Sequence, residues 1–347
     1  MEALTAQAIK DTMTLRKTSV PWALDEPYPQ TYYESDPATS TWVAKSPSAP
    51  GIPGSHTTDN PAATALALYT WNIDFILPFA TARMRPALAH LDDLTQQLTP
   101  NIAPVIFLQE CTTSDLETIA LTAWVQAHFY LTDIDTANWA TTQYGTVALI
   151  SKRLPITSVF RVHYSQTRMD RDALFIDVSV PIGPGPGNKR LRLCNTHLES
   201  LALDPPFRLK QMQLVSQYMH EDGIDVALVA GDFNAIQPFD RTLHSENNLK
   251  DAYLELGGQE DSEEGYTWGQ QAATAQREQF GCSRMDKVFF VGSVEVRKFE
   301  RFGDGVLLEG ESERKAIVEL GFDEPWVTDH LGILVVVDLV LREKGQL

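Results

Sequence analysis

The sequence is short of positive charge. Lys and Arg number 28 against 46 Asp and Glu, a net −18 over 347 residues, and no cluster of five or more Lys/Arg occurs. That disfavours a polybasic protein that coats nucleic acid or anionic membrane without specificity. It leaves room for an enzyme with a local positive groove, or with an acidic site neutralised by a metal. Cysteine is scarce as well. Cys111, Cys194 and Cys282 are an odd number without CxxC spacing and read as reduced thiols, two of them in apolar strands. Long hydrophobic runs are missing too, since GILVVVDLVL is too short to span a bilayer and contains Asp338. The opening MEALTAQAIKDTMTLRKTSV has no apolar stretch of leader length and carries Glu2 where a leader is basic. A soluble, intracellular protein is expected. The remaining composition, 43 % hydrophobic and 21 % charged, is globular, with enough apolar residues for a sizeable core.

Residues 1–64 differ from the rest. Eight prolines from Pro21 to Pro61, amid Ser and Thr, do not build a packed core. Trp22, Tyr28, Tyr32, Tyr33 and Trp42 are nevertheless too aromatic for an inert linker. An extended arm whose aromatics dock on the main domain is expected, with its tip near Ser46–Asn60 mobile. From residue 65 onward strands and helices alternate. LALYTWNI and PVIFLQE read as buried strands that end in polar residues. TARMRPALAHLDDLTQQL carries Met84, Leu88, Leu91, Leu94 and Leu98 at helical spacing, with Pro86 in its first turns. SDLETIALTAWVQ reads as a helix opened by a capping box of Ser114 and Glu117. Four strand-like segments follow (YGTVALIS, ITSVFRVHY, DALFIDVSV, RLRLCNTHLE), the last two joined through PIGPGPGNK as a hairpin. A helix over 208–220 precedes DVALVAGDFN, and DKVFFVG, VEVRKFE and DHLGILVVVDLVL come last. Many strands with few helices predict a four-layer α/β sandwich: two packed, mainly antiparallel sheets with helices outside. The division is an arm over 1–64 and one domain over 65–347.

Polar residues of one chemical kind collect at the strand ends: Trp71-Asn72, Gln109-Glu110, Asp232-Asn234 and Asp329-His330. Carboxylates and carboxamides brought to one sheet edge suit a hard cation with oxygen ligands. Any single pair has a plainer explanation, because Asn and Asp cap turns at strand ends. Asn72 also fits a loop cap, His197 a strand-end histidine, Asp286 an ion-pair partner of Arg284 or Lys287, and Trp268 a core tryptophan. Glu110 and Asp232 differ, because each closes a buried apolar run where an unpaired carboxylate is costly.

In order along the chain, YTWNID, FLQE, THLES, GDFN, SRMDKVFF and TDH resemble the endonuclease/exonuclease/phosphatase superfamily, over about Leu66 to Leu341. TWNID with LQE and HLES is most similar to its 5′-tyrosyl-DNA phosphodiesterase branch, which removes trapped topoisomerase remnants from DNA 5′ ends. The resemblance implies a Mg²⁺-dependent phosphodiesterase of DNA repair, with Mn²⁺ as a substitute metal, and a nuclear or cytoplasmic location. It implies that Glu110 ligates the metal, with Asn72 beside it and Asp329 nearby. Asp232 would orient and deprotonate the attacking water, and Asn234 would hold a phosphate oxygen or that water. His197 and His330 would donate to non-bridging oxygens, with Asp286 accepting from His330. Trp268 reads as a groove wall, and Arg241 and Arg284, with Arg83, Arg85, Arg168 and Arg171, as phosphate contacts.

The branch has an arginine two residues after the Asn of GDxN; this chain has Ile236 there, with Arg241 following. A tyrosine phenol, with a pKa of about 10, leaves with less protonation than an alkoxide requires. The partner expected is therefore a DNA 5′ end. The alternatives are another nucleic acid, a nucleotide, an inositol or sphingolipid phosphoester, or a non-catalytic module that meets a protein partner through the arm. The acidity does not oppose a nucleic-acid substrate. Residues 1–64, 251–264 and 304–324 carry −3, −6 and −5, leaving −4 for the rest. That distribution fits a short, locally held strand end better than tight duplex binding.

Overall fold

Strands that are apolar at successive positions can be buried on both faces, and the fold uses them that way. In ALALYTWN, Leu66 and Leu68 enter a core between two sheets, while Ala67, Tyr69 and Trp71 pack outward into a second core. The computed structural model describes Gln7 and residues 14–47, 63–180 and 188–339. Its strands are β1 (Pro27–Pro29), β2 (Tyr32–Ser35), β3 (Trp42–Lys45), β4 (Ala65–Asn72), β5 (Ile102–Cys111), β6 (Phe129–Leu131), β7 (Gly145–Ser151), β8 (Ile156–His163), β9 (Asp172–Val180), β10 (Lys189–His197), β11 (Val226–Asp232), β12 (Lys250–Asp251), β13 (Asp286–Gly292), β14 (Glu295–Phe302) and β15 (Gly332–Asp338). One sheet runs β1-β8-β9-β10-β11-β13-β12, the other β14-β15-β4-β5-β7-β6-β2-β3. Pairing is antiparallel except for β10/β11 and β4/β5, one parallel pair inside each sheet.

Helices cover the outer faces. Met84, Ala87, Leu88 and Leu91 of α1 (Ala80–Gln96), with Leu116 and Ile119 of α2 (Thr113–Leu121), pack on the outside of the eight-stranded sheet. After α3 (Ala123–His128), α4 (Arg208–Met219) lays Met212, Val215 and Met219 on the seven-stranded sheet. The result is the four-layer sandwich expected from the alternation of elements.

Local details differ from the sequence reading. The box at α2 is Thr112 with Asp115, not Ser114 with Glu117. Asp115 Oδ2 accepts from the Thr112 N–H at 2.8 Å, and the chain already turns two residues earlier. Pro86 lies inside α1, past its first turn, so the Ala82 carbonyl loses its helical donor. Residues 48–62, which take in most of the expected arm tip, the turn residues 181–187, and 340–347, which take in the last two residues of the final apolar run, lie outside the described residues. The arm is also not separate from the sheets. β1 extends the seven-stranded sheet against β8, and β2 pairs with β6 of the other sheet. Its aromatics are engaged: Trp22 stacks on His163 at 3.9 Å, and the Trp42 indole donates to the Ala120 carbonyl at 2.9 Å. Residues 311–319 of the acidic insertion form a helix whose Ile317 packs with Leu77, Leu308 and Phe322.

Candidate active site

The C-terminal ends of the two parallel pairs meet, and register does much of the assembly. β10 and β11 align His197 with Asp232. β11 and β13 align Asp232 with Asp286. Gly231 lets β10 come this close, because a Cβ there, at φ 150°, would lie 1.7 Å from the Thr196 carbonyl oxygen. On the other sheet, the β5/β7 ladder slips between Leu108 and Cys111, and within that bulge Glu110 adopts φ 60°. A bulge re-aims a side chain at the cost of local strain. Here it directs Glu110 to the site, where its carboxylate accepts from the Phe75 N–H at 3.0 Å and lies 3.6 Å from His197 Nε2.

Asp232 is the centre of the site. Its carboxylate accepts from Asn72 Nδ2 at 3.0 Å and from the Asn234 backbone N–H at 2.7 Å, and it lies 3.3 Å from His197 Nε2 and 3.8 Å from His330 Nε2. Burial raises its pKa, but His330, the His197 contact and the Asn234 N–H outweigh burial and hold it well below the carboxylate range. Asn234, at φ 47°, also donates through Nδ2 to the Leu198 carbonyl at 3.0 Å. Asn72 accepts from the Asp74 N–H at 2.9 Å, so both ends of its amide are fixed.

The two histidines are held in different states. His330 Nδ1 donates to Asp286 Oδ2 at 2.8 Å. Burial lowers its pKa, but Asp286, Asp232 and Asp329 together raise it well above the usual range, so the ring stays cationic. His197 Nδ1 instead meets the guanidinium of Arg171. Arg has no lone pair to offer, so this nitrogen must accept and the ring proton is fixed on Nε2. Burial and the Arg171 charge lower the His197 pKa. Its Nε2 is buried with no hydrogen-bond partner of good geometry among the described residues. One cationic and one neutral ring thus present Nε2–H toward the same carboxylate.

A second acidic group faces this one. Burial, Asp329 and Glu110 raise the pKa of Asp74 well above normal, and burial with Glu110 and Asp232 raises that of Asp329. Asp329 is oriented by the Trp268 indole N–H at 2.7 Å. Asp232, Asp286 and His330 place ligating atoms within 4.8 Å of one another, but His330 and Asp286 are already ion-paired. Asp74, Glu110 and Asp329 lie close enough to raise one another's negative potential, and the cation beside them, His330 at 3.9 Å from Asp329 Oδ1, is shared with Asp286 and Asp232; a hard divalent cation suits their oxygen donors.

The expected residues fall into two groups. Asn72, Glu110, Asp232, Asn234, His197, Asp286, Asp329, His330 and Trp268 lie at this edge. Arg284 does not reach it freely, because it is buried and paired with Asp251 and Glu260. Arg241 is exposed and paired with Asp261 at 2.8 Å. Arg83 is buried too, donating to the carbonyls of Ile73, Asp74, Leu77, Pro78 and Val327, which fixes the TWNID loop. Asp74 was within reach of the sequence, since TWNID contains it. The role of Arg171 was not, because its partner is 26 residues away. The HLES motif gains a meaning here: Ser200 Oγ accepts from Arg171 at 2.9 Å, and Glu199 accepts from Thr167 Oγ1 at 2.6 Å and the Arg168 N–H at 3.0 Å.

Solved structures share this architecture. D. rerio TDP2 complexed with single strand DNA product matches at 19% identity and TM-score 0.58, over 79% of this chain and 99% of that one. The human Nocturnin catalytic domain with bound sulfate matches at 16% and 0.54, over 81% and 97%. A Bacteroides thetaiotaomicron mannosyl-6-phosphatase matches at 15% and 0.53, over 78% and 99%. No curated protein matches. The family model described as Endonuclease/Exonuclease/phosphatase family spans residues 69–330, from inside β4 to His330. That span takes in every residue gathered at this sheet edge, and the chain belongs to the endonuclease/exonuclease/phosphatase family.

Proposed function

We propose that the protein is a Mg²⁺-dependent phosphodiesterase that hydrolyses a linkage at a DNA 5′ end, a 5′-phosphotyrosyl or related diester, in DNA repair. The observation that carries the phosphodiesterase reading is the pair of imidazole N–H groups facing one buried, hydrogen-bonded carboxylate. Donors fixed before the reaction can stabilise charge as it grows on non-bridging oxygens, without reorganising at that moment. Support for the DNA end comes from TWNID, LQE and HLES in the sequence and from the TDP2 likeness, whose structure holds a DNA product.

Asp74, Glu110 and Asp329 would hold the metal, with Asn72 alongside. Their donors are oxygens only, which suits Mg²⁺ and also Mn²⁺. Bound there, the cation supplies Lewis-acid polarisation of a phosphoryl oxygen. The chain's own residues do the rest. Asp232 accepts a hydrogen bond from the attacking water and takes its proton as the O–P bond forms, with Asn72 and the Asn234 N–H keeping the carboxylate in place. His197 and His330 donate to the non-bridging oxygens. Asp286 keeps His330 charged and Arg171 keeps the His197 proton on Nε2. As the P–O bond to the leaving group breaks, a tyrosine phenolate, with a pKa of about 10, departs with its electron pair and leaves a 5′-phosphate.

One feature favours a second reading with the same machinery. Ile236 is exposed where the 5′-tyrosyl branch has an arginine, which suits a smaller or less anionic phosphoester. The test is a substrate panel of 5′-phosphotyrosyl oligonucleotide, nucleotides, inositol phosphates and sphingomyelin, each with Mg²⁺ or EDTA. Release of tyrosine, abolished by EDTA, Glu110→Gln and Asp232→Asn, is expected. Turnover of another phosphoester alone would move the substrate to that class.

A further inference from the structure

We infer that the N-terminal segment over residues 15–25 is a positioning element of the active site, acting through Arg171. The segment is stitched to two loops that meet over the site. On one side, the Lys17 N–H donates to the Ala140 carbonyl at 2.9 Å, the Thr142 N–H donates to the Leu15 carbonyl at 3.3 Å, and Lys17 Nζ reaches the Ala137 carbonyl at 3.1 Å. That loop ends at Tyr144, whose ring lies 5.2 Å from the Arg171 guanidinium and whose hydroxyl donates to the Met169 carbonyl at 2.6 Å.

On the other side, Arg16 pairs with Asp170 Oδ1 at 2.5 Å and donates to the Arg168 carbonyl at 3.1 Å. Asp170 precedes Arg171 and holds φ 56°, a left-handed conformation uncommon for a non-glycine residue. Such a conformation persists when its surroundings over-determine it, and Arg16 is one of the groups doing so. The base of the same loop is held as well. The Asp25 N–H donates to the His163 carbonyl at 2.8 Å, and the Ser165 N–H donates to Asp25 Oδ1 at 2.8 Å. The strap therefore grips the loop over 164–171 at both ends, and that loop delivers the one guanidinium that fixes the His197 tautomer. Arg16 is a positioning residue: it touches neither His197 nor any reacting atom.

The inference rests on His197 as a phosphoryl contact, so its test has two readouts. In the full chain, Arg16→Ala, Arg16→Lys, Arg171→Ala and the Arg16→Ala/Arg171→Ala double variant are compared. Hydrogen exchange over residues 165–171 is measured, together with kcat and KM on bis(p-nitrophenyl) phosphate with Mg²⁺. The Arg16 side chain is 46% exposed, so its removal leaves the core intact, and an unchanged Tm verifies this. Arg16→Ala is expected to speed exchange in that loop and lower kcat about tenfold with little change in KM. Arg16→Lys restores most of the rate, and the double variant is no slower than Arg171→Ala alone. Unchanged exchange in Arg16→Ala, or losses that add in the double variant, would overturn the inference. A wild-type chain that turns over no phosphodiester overturns the phosphodiesterase reading instead, and the exchange measurement still decides the strap.

Discussion

Acidification is expected to destabilise the folded protein through His163. This ring is buried, stacked on Trp22 of the arm, and neither nitrogen has a hydrogen-bond partner among the described residues. Burial, then the Arg161 and Lys17 charges, lower its pKa from 6.5 to about 2. Asp172 Oδ2 is 3.9 Å from Nδ1, but that carboxylate is already bound by Arg161 at 2.8 Å through its other oxygen, so it offers the imidazolium little. The sign follows from which state binds the proton. Below pH 6.5 the unfolded chain protonates this histidine and the folded one does not, so stability falls as pH falls, by about 1.4 kcal/mol per unit. At about pH 5 the loss is about 2 kcal/mol. The assay is urea unfolding from about pH 7.5 to 5, for wild type and His163→Phe. Phenylalanine keeps a ring against Trp22 and has no proton to bind. The difference between the two curves isolates His163 from all other titrating groups. Parallel curves would refute the reasoning.

Three further outcomes follow from the same packing. Gly231→Ala has no room for its methyl beside the Thr196 carbonyl oxygen; a loss of about 3 kcal/mol or more, or failure to fold, is expected in denaturant titration. Arg161→Leu strands Asp133 and Asp172, both buried against it; about 3–5 kcal/mol of stability should be lost, also read by urea unfolding. Adding Mg²⁺ after EDTA treatment should raise Tm by relieving repulsion among Asp74, Glu110 and Asp329, and Glu110→Gln should diminish that rise in a thermal-shift assay.

Two kinds of interaction build the site, and they do different jobs. Backbone register places Asp232 beside His197 and Asp286, because β11 is hydrogen-bonded to both neighbouring strands. Side-chain hydrogen bonds then set protonation: Asp286 for His330, Arg171 for His197. The first arrangement is paid for by the two apolar faces of each strand. The second costs the burial of charged groups, which is tolerated because nearly every one has a partner.

The sequence by itself determined the long apolar strands, the four layers and which strand ends are polar, because burial on a pleated strand is a local, repeating property that composition and periodicity report directly; the short strands β1, β2, β3, β6 and β12 carry no such pattern. It also named the motif residues Asn72, Glu110, Asp232 and His330, since each interrupts or closes a segment that is otherwise apolar. Only the tertiary structure decided which charges meet. Arg83, Arg171 and Arg284 look alike in the sequence, yet one fixes a loop, one fixes a histidine tautomer and one is buried in an ion-pair network. Asp286 is a different case: its local pattern offered Arg284 or Lys287, the family resemblance implied His330, and the fold makes the bond to His330 across 44 positions. The aromatic arm likewise showed that it was no linker, but the strands it adds and the grip of Arg16 on Asp170, 154 positions further along, needed the folded chain. An ion pair or an edge-strand pairing joins residues distant along the chain, and no local pattern encodes the distance between them.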